Sequence, residues 1–230
     1  MSFSRLIQLI GNERYELIKQ TTVAIVGLGG VGGHAAEAIA RSAFSKLILV
    51  DPDIIEDSNL NRQLIALHST VGERKVDVME QRIKDINPAC EVIKLPMFYK
   101  PETRDRLFEH KIDFIIDAID MIPFKADLIA SAHERHIDII SVMGTGRKQH
   151  PEQLALTTLA KTAYDPVART LRQRLKDVLD LRQVMVISST EPPKDLDSTD
   201  NGPCSNAFVP ATAGILAANY VYLKTIGNVT

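Results

Sequence analysis

The chain has 230 residues, 45% of them hydrophobic and 24% charged, which fits one large α/β domain or two small ones and argues against widespread disorder. Lys plus Arg number 27 against 29 Asp plus Glu, a net charge of −2 that excludes a protein coating long nucleic acid but not a local basic patch. The 2 cysteines, Cys90 and Cys204, make neither a four-thiolate zinc site nor a disulfide framework, so a reducing cytoplasm is the expected compartment.

Met1 to Ile10 carries one basic residue and a broken apolar run, without the features of a signal peptide. Thr22–Val26 (TVAIV) is a β-branched run ending at Gly27, which predicts a buried parallel strand. An Ala-rich helix is expected over Val31–Ala43 and a second strand over Lys46–Val50, completing a βαβ unit. Further on, helices are predicted at Arg74–Ile86, Thr103–His110 and Phe124–His136. They alternate with strands at Glu91–Leu95, Phe114–Ile116 and Ile137–Val142. This alternation implies an α/β fold: a mostly parallel sheet, helices on both faces, and ligands at the carboxyl ends of the strands.

After Gly146 the rhythm changes. A strand is expected at Gln153–Leu159, and a helix at Asp165–Leu179 with Val167, Leu171, Leu175 and Val178 on one face. Another strand follows at Met185–Ser188, giving a mixed C-terminal part whose strand order the sequence leaves open. Glu191–Ser205 is rich in Pro, Asp, Ser and Gly and predicts a long exposed loop, of the kind that often serves as a lid. The apolar stretch Phe208–Leu223 contains Pro210 and Asn219 and falls short of the about 20 apolar residues a membrane span needs. It is expected to be a buried or interface helix.

Gly27-Leu28-Gly29-Gly30-Val31-Gly32 fits G-x-G-x-x-G between a strand and a helix, where free N–H groups and the helix dipole favour phosphates. Asp51 closes the next strand, placed to accept hydrogen bonds from ribose hydroxyls. NAD would satisfy both features. Arg62 and Lys75, however, are cations suited to a triphosphate, and Asp120 is an acid at a strand's carboxyl edge where Mg²⁺ bridging phosphates is commonly held. Singly, Arg62 and Lys75 read first as solvated charges and Asp120 as a helix cap. Grouped around one glycine loop, they favour ATP.

The runs AIVGLGGVGGHAAEAIARS, LILVDPDIIEDSNLNRQ, VGERKV and FIIDAID resemble the ThiF/MoeB adenylating enzymes, relatives of the ubiquitin-activating enzymes, over nearly the whole chain. INPACEV, LAKTAYDPVARTLRQRLK and SNAFVPATAG are similar to one branch, the dehydratases that cyclise threonylcarbamoyladenosine beside the tRNA anticodon. The resemblance implies a Rossmann-like fold and one adenylating domain over 1–230. Within it, 1–146 would be the nucleotide-binding half and 147–230 a substrate and dimer part with a flexible loop at 191–205. It implies ATP and Mg²⁺ as cofactors, with Gly27, Gly29, Gly30, Gly32, Asp51, Asp53, Asn59, Arg62, Gln63, Lys75 and Asp120 around them and Asp120 beside the metal. It also implies a homodimer in which Arg5 reaches the partner's site. In the catalytic set it therefore places Arg62, Lys75, Asp120 and Arg5.

Sulfur-carrier activators of this family usually hold structural zinc through two C-x-x-C pairs, and this chain has none. A persulfide would have to form on Cys204, which lacks a neighbouring cation to favour the thiolate. It is read first as an ordinary loop thiol and second as a reactive one, and a sulfur-transfer partner is left open. Cys90 is assigned to packing, and His133 and His136 to the solvent face of a helix. Arg169, Arg172 and Lys176 share a helix face, with Arg147 and Lys148 after the fifth strand; these are the candidate tRNA contacts. Charge alone reads this face as solvated, and the resemblance favours tRNA. The rival functions are activation of a sulfur-carrier or ubiquitin-like C-terminus, a nicotinamide-dependent dehydrogenase, and a non-catalytic tRNA-binding scaffold.

Overall fold

The computed structural model describes residues 3–194 and 204–227. Its elements run α1 (Ser4–Ile10), α2 (Asn12–Gln20), β1 (Thr22–Val26), α3 (Gly32–Arg41), β2 (Lys46–Val50), α4 (Lys75–Ile86), β3 (Glu91–Leu95), α5 (Arg104–Phe108), β4 (Phe114–Asp117), α6 (Ile122–Glu134), β5 (Asp138–Val142), β6 (Leu154–Thr158), α7 (Pro166–Leu175), β7 (Met185–Ser189) and α8 (Phe208–Thr225), with short 3₁₀ turns between some of them. The strands form one seven-stranded sheet ordered β3-β2-β1-β4-β5-β7-β6. Every pair is parallel except β6–β7 at the edge. This is the predicted α/β architecture, and the sheet runs without a break across residue 146.

β1 shows why the central strands look uniformly apolar. Successive side chains point to opposite faces of a sheet, and both faces are covered. Val23 and Ile25 join a core built with α3, α4 and α8. Ala24 and Val26 join a second core with Leu107 of α5 and Leu128 and Ala132 of α6. A third cluster packs α6 against α7 and β7 through Ile129, Leu171, Leu175 and Val186. Cys90 is fully buried, and burial pushes its thiol up to about 11, as a packing residue requires.

Ser4–Ile10 and Asn12–Gln20, to which the sequence assigns no element, are helices docked by the buried Ile10 and Ile18. Two expectations change. The helix expected to reach Leu179 ends at Leu175, so Val178 turns to solvent at 59% exposure and Leu179 is buried in its place. The stretch expected to be an exposed loop from Glu191 begins with a buried residue: the Glu191 carboxylate accepts the Gln149 and His150 N–H groups at 2.9–3.0 Å. The remainder of that expectation, 195–203, lies outside the described residues. His133 and His136 are exposed. Among the described residues no helix is long and apolar enough to cross a membrane.

Candidate active site

Chain winding reverses between β1 and β4, the position at which an open α/β sheet leaves a crevice at its carboxyl edge. The glycine loop fills that position. Gly27 has a positive φ of 92°, and a Cβ there would meet the Ala118 carbonyl at 2.7 Å; a Cβ on Gly32 would sit 1.7 Å from the Gly27 carbonyl. No larger residue fits either place. Among the described residues nothing accepts a hydrogen bond from the N–H groups of Gly29, Gly30 or Val31. They stand free at the start of α3, where the helix dipole adds to their attraction for an anion.

Above the loop lies a cavity of about 460 Å³, within the range of small-molecule sites. Asp51 sits beneath it, 4% exposed. Its Oδ2 accepts the Leu28 N–H at 2.6 Å and its Oδ1 the Asp53 N–H at 2.9 Å, which locks the glycine turn to the end of β2. Burial raises the Asp51 carboxyl above its ordinary value, against the opposing effects of Lys75 and these two N–H groups. The Lys75 ammonium is buried between two acids, 2.7 Å from Asp53 Oδ2 and 3.9 Å from Asp51 Oδ1.

Asn59, Arg62 and Gln63 line the same wall. Asn59 is fixed by its Oδ1, which accepts the Glu56 N–H. Arg62 donates to the Ser58 carbonyl at 2.7 Å and to Asn61 Oδ1 at 2.8 Å. Gln63 is buried, and its Oε1 has no hydrogen-bond partner among the described residues. Such an orphaned polar atom carries a cost that a ligand donor would relieve. Asp120 reaches the rim from the opposite side, exposed.

The position of Asp120 is set by Asp117, which is fully buried at the end of β4. Asp117 Oδ1 accepts the Ile119 N–H at 3.0 Å, while Oδ2 receives Lys125 Nζ at 2.9 Å and Ser141 Oγ at 2.6 Å. These bonds hold the 118–120 turn in one conformation. Sequence spacing points to Asp120 but not to this support. Nor does a motif mark the apolar part of the lining, Val50, Met97, Phe98, Tyr99, Met121 and Phe124, whose three aromatic rings suit a nucleobase. Their only sequence signal is position: each closes a strand or follows one at the carboxyl edge.

The remaining candidates divide. Arg147 is exposed beside the site, with a left-handed backbone at φ 58°. Lys148 is buried: its Nζ donates to Asp165 Oδ2 at 2.8 Å and to the Gly144 carbonyl at 2.7 Å. A side chain so enclosed does not reach a phosphate, and its assignment as a tRNA contact is corrected. Arg172 is half-buried and tied to the Thr162 carbonyl at 3.0 Å and to the Thr162 hydroxyl, so it braces α7. Arg169 and Lys176 are exposed. Arg5 is exposed on α1 and does not line the cavity of its own chain. Cys204 is exposed and unpaired, and its carbonyl accepts the Arg147 N–H at 2.8 Å.

The ThiF family model matches residues 3–221. A tRNA threonylcarbamoyladenosine dehydratase of Bacillus subtilis is 41% identical over 99% of this chain and 95% of its own length. The Escherichia coli protein of that name is 34% identical over 98% of this chain and 94% of its own. Crystal structures of the E. coli enzyme, TcdA, superpose with TM-scores of 0.92 in complex with AMP and 0.91 in complex with ATP; each covers 98% of this chain and 94% of that one. The E. coli protein MccB, at 18% identity and a TM-score of 0.71, shares the fold. With a glycine loop free to take phosphates and relatives of this closeness along its whole length, the chain belongs to the ThiF family, on the branch of the tRNA threonylcarbamoyladenosine dehydratases.

Proposed function

We propose that the chain is an ATP-dependent enzyme that dehydrates threonylcarbamoyladenosine beside the tRNA anticodon, closing it to a ring by way of an acyl-adenylate. The observation that carries this reading is the glycine loop, its N–H groups unpaired among the described residues, lining one cavity together with Arg62, Lys75 and Asp120. ATP suits the donors present. The loop takes its phosphates, Asp51 its ribose, and the Met97–Tyr99 and Phe124 wall its base.

In the first step a carboxylate oxygen of the threonyl group attacks the α-phosphorus; an O–P bond forms and the bond to pyrophosphate breaks. Arg62 and Lys75 stabilise the charge that accumulates on the phosphate oxygens. The ureido group of the same substrate then attacks the acyl carbon. AMP departs with the carboxylate oxygen, and the ureido group loses a proton. The net change is loss of one water from the modified base, coupled to ATP cleavage. Capture within one molecule has a large proximity advantage, so no protein nucleophile is called for and Cys204 has no assigned part.

Asp120 is an exposed carboxylate in the lining of the cavity, while Asp53, exposed in the same lining, is paired with Lys75. That donor set fits Mg²⁺, which is commonly bound by one or two carboxylates together with substrate phosphates. When bound, the ion neutralises phosphate charge. We further propose a homodimer in which Arg5 reaches the partner's cavity. Arg5 is exposed on α1 and lies outside the cavity of its own chain, which leaves it available to a second copy. A cytoplasmic location, a single functional domain over 1–230 and tRNA contact through Arg147, Arg169 and Lys176 complete the proposal.

The test is incubation with ATP, Mg²⁺ and threonylcarbamoylated tRNA, followed by mass spectrometry of the nucleosides. Loss of one water from the modified adenosine is expected. An unchanged nucleoside would overturn the reading, and ATP–pyrophosphate exchange stimulated instead by a carrier-protein C-terminus would replace it.

A further inference from the structure

A second, smaller cavity of about 180 Å³ opens off the nucleotide cavity. The two share Val31, Ala118, Ile119, Asp120 and Gly146 as a common wall. The remaining lining of the small cavity comes from Lys125, the segment Val142–Thr145 and Val167 at the start of α7. Three features indicate what it accepts. Val142, Met143 and Val167 form an apolar lining. Thr145 brings a hydroxyl, and among the described residues nothing accepts from the N–H groups of Gly144, Thr145 or Gly146. Lys125 sits behind, its charge already matched by Asp117 at 2.9 Å.

Free backbone donors together with an apolar lining suit a short, branched acyl group that ends in a carboxylate or carbonyl. The volume holds about six water-sized units, enough for an amino-acid-sized group and too small for a nucleobase with its sugar.

We propose that this cavity is the acyl subsite of the reaction. It takes the threonyl part of the substrate with the carboxylate turned toward the glycine loop, and Val167 and Thr145 set the size of the side chain admitted. The assignment rests on the dehydratase reading above and adds to it the residues that select the acyl group. Its walls are held rigidly. Gly144 leaves room for Asp165, whose oxygens would lie 3.3–3.5 Å from a Cβ there, and the Lys148–Asp165 pair ties the 144–148 turn to the start of α7. A side-chain change at Val167 therefore alters the volume of the cavity more than its shape elsewhere.

Size selection is read from two tRNAs, one carrying threonylcarbamoyladenosine and one the glycyl equivalent. A hydrophobic pocket discriminates by about 10- to 200-fold per methylene. The expected result for Val167→Phe is at least a tenfold rise in KM for the threonyl tRNA with a smaller change for the glycyl one, while ATP affinity measured by calorimetry stays the same. Val167→Ala, which only enlarges the cavity, is expected to weaken the preference for threonyl over glycyl. An unchanged threonyl-to-glycyl ratio in both variants overturns the assignment; if Val167→Phe fails to fold, Val167→Ala decides alone. If the unmodified protein is active and only the ratio fails to move, the cavity assignment falls and the dehydratase reading stands. If it dehydrates neither tRNA, both fall.

Discussion

Lys148 and Asp165 form an ion pair at 2.8 Å with both side chains at most 1% exposed. Asp165 also caps α7 by accepting the Ala168 N–H at 3.0 Å. One pair thus joins the turn after β5 to the helix that carries the exposed arginines. Breaking it leaves a buried charge without its partner. Lys148→Met is expected to lower unfolding free energy by about 3 to 5 kcal/mol. Lys148→Met combined with Asp165→Asn is expected to lose less, since the asparagine still caps the helix and no charge is stranded. Urea denaturation of the three proteins measures both values; a Lys148→Met variant as stable as the unmodified protein would contradict the pairing.

The same geometry sharpens the basic surface. Arg169→Glu with Lys176→Glu is expected to weaken tRNA binding and to reduce the slope of log affinity against log salt by about 1 to 2, as two lost phosphate contacts require. Arg172→Ala should act differently, lowering the melting temperature through loss of its bonds to Thr162 and leaving the salt slope nearly unaltered. Filter binding at several salt concentrations separates the two effects. Equal slopes for the double variant and the unmodified protein would remove this face from the tRNA footprint.

Lys75 is the buried cation of the nucleotide cavity, and its stem opens α4 while its ammonium meets Asp53. Lys75→Met keeps the stem and removes the charge. Stabilising groups of this kind are worth about 10²- to 10³-fold in rate, so ATP–pyrophosphate exchange should fall by that factor. Exchange at the unmodified rate would show that Lys75 serves only to pair with Asp53.

Glu191 predicts an acid limb in stability. Burial acts to raise its carboxyl, but the His150 and Gln149 N–H groups and the Lys148 charge outweigh burial and hold it below the ordinary value of 4.5. A carboxyl lowered in the folded state contributes stability above its unfolded value, and that contribution is lost as pH falls through the folded value. The protein should therefore lose stability as pH drops below about 4.5, and Glu191→Gln should flatten that part of the curve. Denaturation midpoints across the acid range check it. Parallel curves would mean that Glu191 titrates alike in both states.

Much of the site was legible in the chain because its parts are local. A Gly-rich turn between a β-branched strand and a helix, an acid at the end of the next strand and a DxxD at the end of β4 are short-range patterns, and Thr22–Val26, Lys46–Val50 and Glu91–Leu95 appear at their predicted bounds. Lys148 was misplaced for the opposite reason. Beside Arg147 it looks like a second surface cation, and its burial depends on Asp165, 17 positions away. Nothing in local spacing distinguishes an exposed lysine from one that a distant carboxylate has drawn inside.

The sequence by itself determined the parallel α/β architecture and the nucleotide loop, since both rest on residue types at fixed short spacing, and pointed to the family through the resemblance of runs along nearly the whole chain. Tertiary structure alone decided the order β5-β7-β6, the pairing that buries Lys148, the Asp117–Lys125–Ser141 support beneath Asp120, and the second cavity between the glycine loop and α7. The physical reason is common to all four. Each depends on which distant segments share a desolvated space, where an unpaired charge or polar group is costly. The net charge of −2 illustrates the division: as a total it leaves a local basic patch open, and the structure turns Lys148 inward to Asp165 and leaves Arg147, Arg169 and Lys176 exposed.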